Sequence, residues 1–307
     1  MITHYFKTLK DSELKVLDEP RAGVWTHVVA PTKGEIATLI SDYGLDEAIL
    51  SDAQDFFEVP RMERSGSAVY FFTRYPYDEK DEDSDTAPVL FVVADTAVVT
   101  IAPREVPQFQ SFITGAVNCN TTQKTKLLIQ LIGSIMRSYE AELVMLRRAV
   151  HRDRVKLRRI GPREIQRLVN HEHALNNMIT ALIPTNTWLG QVTNGNYIQL
   201  FTEDVALMQD LLIESEQLID SARSVLKTIQ NVRGASEAIM TSTLNTTIKT
   251  LTIVTILLTI PNVVFSLFGM NVPLPLQESS AALLIILVFV ALLIGIAIYS
   301  FRRNDWL

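Results

Sequence analysis

The chain has 307 residues, 48% of them hydrophobic, with a formal net charge of −6. That balance excludes a general nucleic-acid binder, which is normally basic. A single cysteine, Cys119, excludes an intramolecular disulfide framework and any multi-cysteine metal site, and fits a reducing setting.

The first 118 residues read as mixed α and β. Strands are predicted over 2–9, 14–17 and 24–30, and β-rich runs over 68–75 and 89–101. Thr32-Lys33-Gly34-Glu35 has the form of a capping box, opening a helix to about Tyr43. No basic region followed by an apolar run stands at the N-terminus, so no secretory signal is expected there and this part is expected in the cytosol. Asp78, Glu79, Asp81, Glu82, Asp83 and Asp85 form an acidic run at the end of a strand. It reads either as a solvated loop or as part of a regulatory cation site.

Residues 119–195 read as a helical segment. One helix is predicted over 122–159, Gly161-Pro162 breaks it, and a second runs to about Leu182. The basic run from Arg147 to Arg167 reads as a solvated helix tip or a counter-charge for acidic surfaces. His171-Glu172-His173 is a poor metal motif, because residues i and i+2 of a helix point apart. No catalytic triad, His-Glu-x-x-His or phosphate-binding Gly-x-x-x-x-Gly-Lys-[Ser/Thr] sequence is present, so no enzyme is indicated.

From 196 to 268 nothing stops a helix firmly, though Pro261 interrupts the hydrogen-bond ladder. A helix of ~70 residues spans roughly 105 Å at 1.5 Å per residue. Most of it must therefore project beyond any membrane, as a stalk linked directly to the apolar end. From Thr250 to Gln277, and again from Ser279 to Phe301, there is no charged side chain. The stretches 248–268 and 281–301 each approach the ~20 residues needed to cross ~30 Å of hydrocarbon. Gly269, Pro273 and Pro275 stop the first, and Ser279 or Ser280 can cap the second. Lys249 precedes the hairpin, Arg302 and Arg303 close it, and its loop (269–280) has no Lys or Arg. The positive-inside rule then puts the loop outside a cell membrane and both termini, including the 302–307 tail, in the cytosol.

The two spans differ in kind. Asn245, Ile248, Thr252, Thr255, Thr259, Asn262, Ser266 and Gly269 recur at alternating steps of three and four. They share one helix face. Amides and hydroxyls so aligned face either a partner helix or water. The second reading is a pore lining. One hairpin cannot enclose a pore, so it demands several copies. The stripe contains no Asp or Glu. Mg²⁺ dehydrates reluctantly, and a ring of amide and hydroxyl oxygens can accept hydrogen bonds from the waters it keeps.

Phe268-Gly269-Met270-Asn271 directly after a polar-striped span, then a short loop and a second span ending in basic residues, resembles the CorA family of magnesium channels. Leu244-Asn245 and Lys249-Thr250-Leu251-Thr252 resemble its approach to the first span. Trp25, Pro31-Thr32, Glu35, Gly44-Leu45, Asp52 and Pro60-Arg61-Met62-Glu63 resemble its soluble domain.

The resemblance implies an α+β cytosolic domain of α/β/α funnel type, a long stalk helix and two C-terminal transmembrane helices. It also implies a homopentamer carrying Mg²⁺, Co²⁺ or Ni²⁺ as cargo, with no organic cofactor. Gly269, Met270 and Asn271 would form the outer selectivity ring. Asn245 would form a polar ring at the inner mouth, Ile248 and Leu251 a hydrophobic constriction, and Thr259 and Asn262 the middle. Thr252 competes with Leu251 for the inward position. Asp210 stands where the family places one half of a regulatory cation site, with Asp78 a candidate for the other.

Two positions depart from the pattern. Phe268 replaces a usual tyrosine, and the loop reads Leu274-Pro275-Leu276-Gln277, with Glu278 delayed, where magnesium members often carry an acid. The ZntB branch, which moves zinc, shares Gly-Met-Asn and is the alternative. A membrane-anchored oligomeric scaffold or sensor is a second alternative.

Overall fold

A computed structural model describes residues 1–77, 86–155, 162–195, 197–272, 275, 281–304 and 306. The chain forms two compact units, Met1–Val232 and Arg233–Leu307.

The first unit is built on a seven-stranded sheet ordered β2-β1-β3-β7-β6-β5-β4. The strands are β1 (Ile2–Phe6), β2 (Lys15–Leu17), β3 (Val24–Val29), β4 (Arg61–Ser65), β5 (Ala68–Pro76), β6 (Thr86–Val93) and β7 (Ala97–Ala102). Among the described residues only β3 and β7 pair in parallel, in register from Val24↔Ala97 to Val29↔Ala102. Along β5 the side chains alternate between faces. Val69, Phe71 and Tyr75 join one core, and Tyr70 and Phe72 join the other. Both faces are therefore covered, which gives three layers.

Helices α1 (Lys33–Tyr43) and α2 (Glu47–Asp52) contribute Ile36, Leu39, Ile49 and Leu50 to the smaller core. Two short turns, Pro107–Phe109 and α3 (Gln110–Ile113), lead to the long helices α4 (Lys124–Val155), α5 (Pro162–Asn194) and α6 (Thr202–Phe268). Those helices supply the larger core. The α/β/α layering implied by the family resemblance is the architecture observed.

Local signals set many of the boundaries. Glu35 N donates to Thr32 Oγ1 while the Glu35 carboxylate accepts from Thr32 N, so the capping box forms. Gly44, at φ 64°, ends the helix in the left-handed conformation that glycine adopts without strain. β3 ends at Val29, one residue early, because Ala30 turns to φ 45°. The run 89–101 is two strands, turned at Asp95-Thr96 and closed by Ala94 N donating to Ala97 O at 3.0 Å. The strand predicted over 2–9 stops at Phe6, where Lys7 N leaves the ladder for Thr121 Oγ1.

The largest correction concerns α5. The sequence places its end near Leu182, but it continues through Pro184 to Asn194. Proline forfeits one ladder bond and crowds the preceding turn. The last turns nevertheless bury Thr185, Trp188, Leu189 and Val192, and Trp188 lies on Phe71 with ring centroids 5.0 Å apart. Burial of that apolar area outweighs the local defect.

Arg61, in the Pro-Arg-Met-Glu stretch, stacks over the Phe72 ring at 4.2 Å. It also pairs with Asp52, Glu58 and Glu63. That network ties α2 to β4 and is a structural use of the motif.

His27 is buried, its Nδ1 2.8 Å from Thr100 Oγ1, which also accepts from Trp25 Nε1 at 3.0 Å. Burial, with a smaller contribution from the N-terminal ammonium, lowers its pKa from 6.5 to about 4. Between those values the unfolded chain binds the extra proton. Stability is thus fully present above about pH 6.5 and is lost as pH falls toward 4. The expected loss is roughly 3 kcal/mol, at ~1.4 kcal/mol per pKa unit. Denaturant midpoints of the full chain between pH 4 and 7 check it: His27→Gln should flatten the slope, and an unchanged slope would assign it elsewhere.

Candidate functional site

The second unit holds the C-terminal part of α6 and the helix α7 (Ala282–Arg303). Both helices are long and apolar enough to cross a membrane, and only 6% of the most apolar window of each is buried. A core helix of a soluble domain would be mostly buried, so the exposed apolar surface calls for lipid or other chains. α7 closes on Arg302 and Arg303 in its last turn, followed by Trp306 stacked on Phe301 with centroids 5.9 Å apart. Basic and aromatic side chains commonly mark a membrane–water boundary. Ser279 and Ser280, expected as caps, lie outside the described residues.

On α6 two faces are distinct. Ile253 and Val264 are buried, and Leu257 and Ile260 are half-buried, at steps of four, three and four. Asn245, Ile248, Thr255, Thr259, Asn262 and Ser266 are exposed, and Thr252 is half-buried. At about 100° per residue the mean direction of this stripe lies roughly 140° from that of the packed face. Exposed apolar residues flank the stripe: Leu251, Val254 and Leu258 on one side, Ile256 and Val263 on the other. Leu251 is more exposed than Thr252, at the level where both compete for the stripe.

The threonine hydroxyls have a fixed sense. Thr252, Thr255 and Thr259 donate to the carbonyls of Ile248, Leu251 and Thr255 at 2.8, 2.8 and 2.7 Å. Each hydroxyl proton is thereby committed inside the helix, and the oxygen's remaining capacity is as an acceptor. The stripe therefore offers acceptors without formal charge.

At the end of α6, Gly269 N donates to Phe265 O at 2.9 Å and Met270 N to Leu267 O at 3.3 Å. Gly269, Met270 and Asn271 form an exposed turn. A Cβ on Gly269 would stand 3.3 Å from Phe265 O, which leaves little room for any other residue.

The candidate regulatory residues are less defined. Asp210 is exposed on α6, beside a cavity of about 670 Å³ that is also lined by Lys126, Arg137, Glu203 and Glu214. Burial, then repulsion from Glu140, raises the Glu214 pKa against the pull of Arg137. Asp78 and the rest of the acidic run lie outside the described residues. Among the described residues no group of three or more His, Cys, Asp or Glu is placed to hold a metal ion.

Arg74, a buried arginine lining a cavity in the first unit, has no signature in the sequence.

The family model described as CorA-like Mg²⁺ transporter protein matches residues 21–303. The chain is 23% identical over 296 residues to the cobalt/magnesium transport protein CorA of Methanocaldococcus jannaschii, covering 92% of this chain and 91% of that one. The complete structure of the CorA magnesium transporter from that organism superposes with a TM-score of 0.86 at 20% identity, over 100% of this chain and 99% of that one. The cytoplasmic domain of ZntB from Vibrio parahaemolyticus superposes less closely, with a TM-score of 0.54 at 10% identity, over 78% of this chain and 95% of that one. With a match over most of its length, the chain belongs to the CorA family of divalent-cation transport proteins.

Proposed function

We propose that copies of this chain assemble around a common axis, as a pentamer on the family resemblance, into a channel that conducts Mg²⁺, with Co²⁺ and Ni²⁺ as further cargoes. The observation that carries this reading is the exposed acceptor stripe on the face of α6 opposite its packed face. A helix packed on one side and lipid-facing elsewhere gains nothing from an aligned row of amides and hydroxyls. Around an axis, the stripe faces water and the flanking apolar residues meet neighbouring copies.

Selection then rests on the ion's own waters. Mg²⁺ keeps its inner waters, and those waters are donors. A ring of Asn271 carboxamides at the outer mouth accepts from them and orders the hydrated ion. Asn262 and the threonine oxygens pass it inward. The membrane potential supplies about 2.3 kcal/mol per charge per 100 mV, roughly twice that for a dication. Ile248 and Leu251 form the dewetting constriction, and Asn245 the polar ring at its inner side. The continuous helix α6 lets the cytosolic domain act on that constriction. Asp210, with Asp78, is the candidate for a regulatory cation. The basic residues flanking the hairpin favour both termini in the cytosol.

A zinc-carrying channel is the second reading, motivated by the fold likeness to the ZntB domain and by a loop that lacks an early acidic residue. Borderline-soft Zn²⁺ favours imidazole and thiolate ligands, and the stripe contains neither. Reconstituted liposomes carrying an internal dye decide between them. We expect Mg²⁺ influx to exceed Zn²⁺ influx, and Thr255→Val with Thr259→Val to reduce it several-fold. Zn²⁺ influx alone would move the protein to the zinc reading. No influx of either, or full influx in the valine variant, would remove the pore.

A further inference from the structure

A cavity of about 850 Å³ opens in the first unit, where the starts of α4 and α6 meet the sheet near Ala94. Its volume is in the range of small-ligand pockets. Thr125 Oγ1 donates to Gln199 O at 3.0 Å, and Lys126 pairs with Glu203 at 3.7 Å. The two helix starts therefore lie side by side.

They differ in charge. The first turn of α4 contains no acid. Leu127 N donates to Gln123 O at 2.9 Å, and the N–H groups of Lys124, Thr125 and Lys126, which precede it, have no acceptor among the described residues. Lys124 adds a cation. Its Nζ donates to Ala94 O at 2.8 Å and to Asp95 O at 2.6 Å, and an ammonium has a third N–H to give. Free N–H groups, the helix dipole and an ammonium make this side attractive to an anion.

The first turn of α6 instead carries Glu203 and Asp204. Glu203 is the partner of Lys126. Asp204 is only 4% exposed and lines the cavity. Its Oδ2 accepts from Phe201 N at 3.4 Å, which helps to close the helix start. Its Oδ1 has no partner among the described residues. A buried carboxylate oxygen is costly unless a donor reaches it, and a cationic donor serves it best. Beside these two ends stands apolar surface: Tyr197 and Phe201 line the same cavity and are 38% and 63% exposed.

We infer that this cavity binds an α-amino acid with an apolar side chain, its ammonium on Asp204, its carboxylate at the start of α4 and its side chain against Tyr197 and Phe201. A zwitterion answers both ends at once. A bare dication would meet Asp204 but would be repelled by Lys124 and by the dipole of α4. The site uses no residue of the acceptor stripe and does not depend on which dication the chain carries.

The test is isothermal titration of the full chain in detergent with three probes. They are L-phenylalanine, 2-phenylethylamine, which lacks the carboxylate, and 3-phenylpropionate, which lacks the ammonium. Phenylalanine should bind, and each analogue should bind about tenfold more weakly or worse, since each forfeits one charge-assisted contact. Asp204→Asn, which keeps an acceptor for Phe201 N, should weaken phenylalanine about tenfold and leave 3-phenylpropionate unchanged. Circular dichroism reports whether that variant folds; if it does not, the analogue series on the unaltered chain decides. No binding of phenylalanine at millimolar concentration would overturn the inference. So would equal affinity for phenylalanine and 2-phenylethylamine, or undiminished phenylalanine binding in a folded Asp204→Asn protein.

Discussion

Asn271→Ala is expected to reduce Mg²⁺ influx into liposomes by about three orders of magnitude. Asn271 ends an exposed turn directly after α6, two residues beyond a glycine whose nearest non-neighbour atom is a backbone carbonyl. In the proposed assembly its carboxamide accepts hydrogen bonds from the waters of the arriving ion. One such bond contributes about 1 kcal/mol. A ring repeats it in every copy, so five copies together lose roughly 5 kcal/mol of ion stabilisation. At ~1.4 kcal/mol per factor of ten, that is roughly a thousandfold. Gel filtration of the variant separates loss of the filter from loss of assembly. Wild-type flux in a correctly assembled Asn271→Ala protein would remove the tripeptide from the selection step.

The opposite sign is expected at the inner end. Ile248 and Leu251 are 53% and 66% exposed on α6. In a ring they face one another and exclude water. Wetting a constriction of such side chains opposes the hydrophobic effect, at about 1.5–3 kcal/mol per side chain. Leu251→Asn should therefore raise flux at high internal Mg²⁺ by roughly tenfold or more, and Ile248→Asn should do the same. Thr252→Val should leave that leak small, because Thr252 is already half-buried. A leak from Thr252→Val but none from Leu251→Asn would exchange the two residues' roles.

Much of this was legible because it is local. The capping box at Thr32 and the glycine stop at Gly44 follow from backbone sterics and caps that neighbouring residues dictate. The polar stripe needed only the helical period. What resisted was set by partners far along the chain. Pro184 reads as a stop, yet α5 passes through it because Trp188 and Leu189 have a core to enter. The short strand β4, Arg61–Ser65, has three charged residues in five and no strand signal. It pairs because β5 offers it an edge, from Arg61↔Phe72 to Ser65↔Ala68.

The sequence by itself determined the class of this protein. Two charge-free spans, a Gly-Met-Asn turn between them and a heptad of acceptors are covalent facts, and hydrocarbon thickness with helix pitch converts them into a hairpin bearing one polar face. Only the tertiary structure decided which residues have which surroundings. It buried Ile253 and Val264 while leaving all of the stripe but Thr252 exposed, and it sank Arg74 among backbone carbonyls. Burial depends on what packs against a residue. A sequence records the side chain but not its neighbours, so a buried arginine held by backbone carbonyls becomes visible only once the chain has folded around it.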